Sequence, residues 1–132
     1  MPIVWDPETM TTGVAAIDEE HQEWIRRFNE FDAATASGLG LEAIQKTLDF
    51  MIEYAENHFS HEERLSKEIH TLEADANRRE HQEFRSNIRY HQNWIKLTGA
   101  TIVEVVGMKI ELKDWLEHHI CAVDRHIWQS IP

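Results

Sequence analysis

Residues 44–65 read IQKTLDFMIEYAENHFSHEERL, and within them Ile44, Leu48, Met51, Ile52, Ala55, His58, Phe59, Glu62 and Leu65 recur at steps of three and four. That spacing is the signature of a helix with one inward face, and it predicts a helix running to about Lys67. The stripe is not purely apolar. His58 and Glu62 stand four apart on the face set by Leu48, Met51 and Ala55, so their side chains stack one above the other where a core is expected.

The flanking segments repeat the pattern. Upstream, Ile17, His21, Trp24, Ile25, Phe28 and Phe31 predict a helix from about Asp18, ended by Ser37-Gly38-Leu39-Gly40. Before it, Pro2, Pro7 and Thr11-Thr12-Gly13 predict an extended arm over residues 1–17, because proline and the residue before it resist helix. Downstream, a short connection near Glu68–Thr71 leads to Leu72, Ala76, Asn77, His81, Phe84, Ile88 and Ile95, closed by Leu97-Thr98-Gly99. A fourth segment starts near Thr101 and carries Ile102, Val105, Val106, Lys109, Leu112, Trp115, Leu116 and His119. Its β-branched start suggests a strand, but the apolar positions continue at helical spacing for several further turns. Four helices joined by short loops predict an all-α chain, an antiparallel up-down-up-down four-helix bundle with an extended N-terminal arm. Residues 1–132 are expected to form one domain, with the arm over 1–17 and the bundle over 18–132.

Composition narrows the function. The net charge is −11, which opposes a nucleic-acid surface and an anionic membrane surface, since both need clustered Lys and Arg. No apolar run approaches the roughly 20 residues of a membrane span, and the start Met1-Pro2-Ile3-Val4 lacks a signal peptide's basic and apolar regions. One cysteine, Cys121, cannot form an intrachain disulfide, so a cytoplasmic location is expected, with Cys121 as a small buried hydrophobe. Nine His are the unusual count, and they divide by face.

His21, His58, His81 and His119 each interrupt an inward stripe, on four different helices. An unpaired buried polar group costs on the order of 1–3 kcal/mol, so four such interruptions require a common partner. A metal satisfies imidazoles and carboxylates at once. The other five behave as controls. His61 sits toward Arg64 and Lys67, His70 in a connection, His91 near a helix end, His118 with Glu111 and Asp114, and His126 after Arg125, so all five read as surface.

With these residues in place the chain resembles the bacterial hemerythrins. The resemblance runs from Trp5 through Ile17-Asp18-Glu19-Glu20-His21, His58-Phe59-Ser60-His61-Glu62-Glu63 and the His81 block to Trp115-Leu116-Glu117-His118-His119-Ile120 and Asp124. It implies a cofactor of two non-haem irons in an oxo- or hydroxo-bridged diiron centre. His21 and His58 would bind one iron, His81 and His119 the other, and Glu62 and Asp124 would bridge them. Trp115 and Leu116 match positions lining the ligand pocket. Asp124 follows His119 by five residues, about 140° out of α-helical register, so the chain should widen into a π-like turn or end there. The departure is Asn77, which stands where the family carries a third histidine on the second iron. Its neutral, shorter amide predicts a position on that iron filled by water, hydroxide or another small anion.

The resemblance implies a domain that binds dioxygen or a related small ligand, as an oxygen or redox sensor or as a carrier. Such domains also occur fused to a signalling output, which here would follow residue 132. The alternatives are a diiron enzyme acting on peroxide or nitric oxide, iron storage or sensing, and a metal-free interaction bundle. Ferritin-like diiron enzymes use Glu-x-x-His pairs, and no histidine here has a glutamate three residues before it, which argues against that class. A binding domain is expected ahead of an enzyme, with peroxide or nitric oxide chemistry as the enzymatic alternative.

Overall fold

The computed structural model describes residues 2–37, 41–67, 71–99, 101–124 and Trp128. Helix α1 spans Pro7–Met10, α2 Ala15–Ala36, α3 Leu41–Leu65, α4 Leu72–Thr98 and α5 Ile102–His118, followed by a π-helical turn over His119–Asp124. The described residues contain no strand, and the long helices form a four-helix bundle. The β-branched start of α5 is helical, with Thr101 capping it by accepting from the Glu104 backbone N–H.

Partners across each interface run in opposite order along the two chains. Glu20 meets His58 and His61, while Arg27 lies over the Phe50 ring. Between α3 and α4 the pairs are Glu63 with His81, Glu56 with Arg85 and Asp49 with Gln92. Between α4 and α5 they are Glu80 with His118, His91 with Glu111 and Trp94 with Glu104. Rising numbers on one helix meet falling numbers on the next, which is antiparallel packing. The exposed ion pairs among them, such as Arg85 with Glu56 and His91 with Glu111, are worth under about 1 kcal/mol each, so they follow the register more than they stabilise it.

The core supplies the stability. Trp24, Phe28, Phe31, Leu48, Met51, Phe59, Met108 and Ile120 are all at most 2% exposed. Burying each such side chain contributes roughly 1.5–3 kcal/mol. Lys109, which stood in the predicted apolar stripe of α5, is 9% exposed and bonds Asp32 on α2 at 3.0 Å. Val103 and Val106 face outward, contrary to the inward position the spacing gave Val106.

The N-terminal expectation needs correction. Residues 1–17 are not a wholly extended arm: α1 lies inside them and α2 begins at Ala15, three residues early. Asp6 accepts from the Glu8 N–H and Pro7 occupies the first helical position, a pairing that starts helices. Gly13, at φ +91°, then turns the chain into α2. Asp18 reaches back to accept from the Thr12 N–H and hydroxyl, both at 2.8 Å. The arm is also packed, because Asn29 bonds the Ile3 N–H at 2.8 Å and the Ile3 carbonyl at 2.9 Å.

Candidate metal centre

Helices α2, α3 and α4 and the π turn each deliver a buried polar residue to one place. His21, His58, Glu62, Asn77, His81 and His119 are at most 1% exposed. Glu62 is the hub. Its Oε2 lies 3.3 Å from His58 Nε2 and its Oε1 lies 3.3 Å from His81 Nε2. His21 Nε2 is 3.2 Å from His58 Nε2. Two ligand-type groups result, His21–His58–Glu62 and Glu62–His81–His119, with donor atoms in each lying within 4.8 Å of one another.

An outer layer sets the ring protonation. His58 Nδ1 faces Glu20 Oε1 at 3.2 Å, and His81 Nδ1 faces Glu63 Oε1 at 2.9 Å. A carboxylate only accepts, so each Nδ1 carries a proton, and in the neutral ring the Nε2 lone pair then points inward. Lone pairs on His58 and His81 therefore confront the two oxygens of Glu62. Glu62 Oε2 and His81 Nε2 make no hydrogen bond among the described residues despite full burial. Acceptors facing acceptors in a dry interior call for cations between them, and imidazole with carboxylate suits iron. The residues present fit a metal pair.

Glu20 also accepts from His61 Nδ1 at 2.5 Å. Burial would raise its carboxyl pKa, but the hydrogen bonds from His58 and His61 outweigh that and hold it below the usual carboxylate value. Glu63 is further held by Arg85 at 3.5 Å, whose guanidinium also grips both oxygens of Glu56 and lies over the Phe59 ring.

Aromatic rings wall the site. Trp115 stacks on His119 with centroids 4.6 Å apart, and Phe59 stacks on His81 at 4.0 Å. Trp24 lies 5.4 Å from His58, and Phe84 closes on Trp115 at 4.7 Å. Leu116 is 2% exposed within the same apolar cluster.

Of the sequence-derived ligands, the structure brings together His21, His58, Glu62, His81 and His119. Asp124 ends the π turn that its spacing from His119 predicted, and its side chain lies outside the described residues. His70 and His126 also lie outside them. His118 is exposed and His91 pairs with Glu111 at 2.9 Å, both away from the hub. His61 is a third exposed and belongs to the outer layer through Glu20. Sequence reasoning missed Glu20 and Glu63 as partners of the ring nitrogens. Each adjoins a hub residue in the chain, which turns it about 100° off the inward face, so no periodicity marks it.

Residues 12–128 match the model of the Hemerythrin HHE cation binding domain. The chain belongs to the hemerythrin family. It is 25% identical over 123 residues to a bacteriohemerythrin of Stenotrophomonas maltophilia (strain R551-3), covering 93% of this chain and 77% of that protein. Wild-type hemerythrin superposes with a TM-score of 0.85 at 24% identity, covering 96% of this chain and 95% of its own. A hemerythrin variant with a leucine-to-tyrosine change gives 0.86 at 23% identity, over 98% and 97% of the two chains. Hemerythrin domains bind a diiron centre, and the two His/Glu groups around Glu62 are clusters that can hold metal. No described helix is long and apolar enough to cross a membrane.

Proposed function

We propose that this hemerythrin domain holds two irons through His21, His58, Glu62, His81, His119 and Asp124, and binds dioxygen or a related small ligand there as an oxygen or redox sensor or a carrier. One observation carries the reading: Glu62, wholly buried, offers one oxygen to each histidine group. Family membership supports it, since hemerythrins in general bind dioxygen at a diiron centre rather than act as enzymes. Bound irons supply the reversible electron transfer that such ligand binding needs. The chain's own residues supply the rest. Glu20 and Glu63 fix the ring tautomers, Glu62 and Asp124 set the spacing of the pair, and Trp24, Phe59, Trp115 and Leu116 keep water out. We take residues 1–132 as one domain, and its single cysteine, which cannot form an intrachain disulfide, supports a cytoplasmic location. A fused signalling output beyond residue 132 would make the domain a sensor.

Anaerobic iron stoichiometry, followed by absorption spectra before and after air, tests the reading. Two irons per chain and a new charge-transfer band on exposure to air are expected. His58→Ala and His119→Ala should each lower iron retention, while His91→Ala and His118→Ala should leave it at two. Equal losses in both sets would refute the inward assignment. The lifetime of the air-formed species then separates the roles, hours for a carrier and rapid oxidation for a sensor.

A further inference from the structure

We infer that Asn77 makes the second metal group, Glu62–His81–His119, selective for a small ligand that carries a proton. The inference rests on the two-metal reading above. Asn77 is 1% exposed and precedes His81 by four residues, on the same face of α4. Its Nδ2 donates to Glu62 Oε1, the same oxygen that faces His81 Nε2 at 3.3 Å. The amide therefore belongs to the second group and not to the first, which uses Oε2.

That bond also fixes which way the amide points. A carboxylate oxygen only accepts, so Nδ2 must face Glu62 and Oδ1 must face away. Oδ1 is fully buried and receives no hydrogen bond among the described residues. The groups beside it, the inward lone pair of His81 and the carboxylate of Glu62, are acceptors themselves and cannot serve it. A metal ion would satisfy those two. The amide is neutral and shorter than an imidazole at the same position, so Oδ1 meets whatever small ligand completes that ion. A ligand with a hydrogen to give, such as water, hydroxide or hydroperoxide, pairs with Oδ1. Azide cannot donate, and it must leave a buried acceptor unanswered.

The full chain loaded with cobalt(II) tests this without any redox step, because absorption bands report coordination while metal content is counted separately. Azide is the probe. Asn77→Leu keeps the side chain's shape and deletes the acceptor, so it should bind azide about tenfold more tightly than the parent at unchanged cobalt content. Asn77→His, which fills the position with a ligand of its own, should remove one azide site per chain. Unchanged or weaker azide binding in Asn77→Leu would overturn the inference, as would a metal-loaded structure with Asn77 Oδ1 bound directly to the ion. A parent that takes up fewer than two cobalts defeats the two-metal reading itself, and the count reads that failure separately.

Discussion

On the proposed reading, Leu116 would separate metal binding from ligand access, because it lies in the buried apolar cluster and carries no ligand atom. At 2% exposure it packs in the cluster that contains Trp24, Phe59 and Phe84. Leu116→Ala should lower stability by roughly 2–5 kcal/mol through the cavity it leaves. Iron content should stay near two, while oxidation in air accelerates because water reaches the pair. Iron assay and stopped absorption traces check both, and an unchanged oxidation rate would place Leu116 outside the access route. At this scale the hub was legible in the sequence, since His21, His58, Glu62, His81 and His119 each break an apolar stripe. The wall was legible only as core: nothing in the spacing of Trp24 or Phe59 says that its ring faces a histidine. Glu20 and Glu63 left no mark, because a residue one step off the stripe looks like any solvated acid.

On the proposed ligation, the π turn that follows α5 would bring into register a residue that α geometry would misplace. Residues five apart in a π-helix face nearly the same way, as residues four apart do in an α-helix. On the proposed ligation, deleting half-buried Ala122 should let the segment close into α-helix with the aspartate still facing inward. Iron content near two is expected, whereas deleting Asp114 should turn His119 about 100° away and lower it. A loss as large without Ala122 as without Asp114 would mean that the wide backbone itself is required. Element boundaries were legible where chemistry punctuates the chain. Thr71 caps α4, Thr101 caps α5, and Gly99 at φ +78° closes α4. Helix α1 was missed because Pro2 and Pro7 were read as breakers, although a proline after Asp is a helix opener. Val106 was misplaced for a different reason: Val105, Met108, Leu112 and Leu116 hold the buried face, and Val106 stands about 100° round from Val105, on the exposed side with Val103 and Ile110.

Across the whole molecule, Asp32 and Lys109 tie α2 to α5 through a nearly dry ion pair, a partnership sequence could not supply because the two stand on the first and last long helices. Burial would raise the Asp32 carboxyl, but hydrogen bonding and positive charge, those of Lys109 first among them, outweigh it and hold the group below its ordinary value. Its contribution is therefore complete above the unfolded carboxylate pKa near 4, and is lost as pH falls through the lower folded value. Lys109→Met should cost on the order of 3 kcal/mol at pH 7, with the gap from the parent narrowing below pH 4 as Asp32 takes a proton. Urea midpoints of both proteins at pH 7 and pH 3 measure it, and a gap independent of pH would show that Lys109 acts through packing of its stem. The enclosure of the hub reaches further than chemistry. With every described hub residue at most 1% exposed, iron enters or leaves only when helices part, so exchange keeps the slow time of bundle breathing and not the fast time of diffusion. A chain that closes around its metal carries forward the iron supply of the moment it folded.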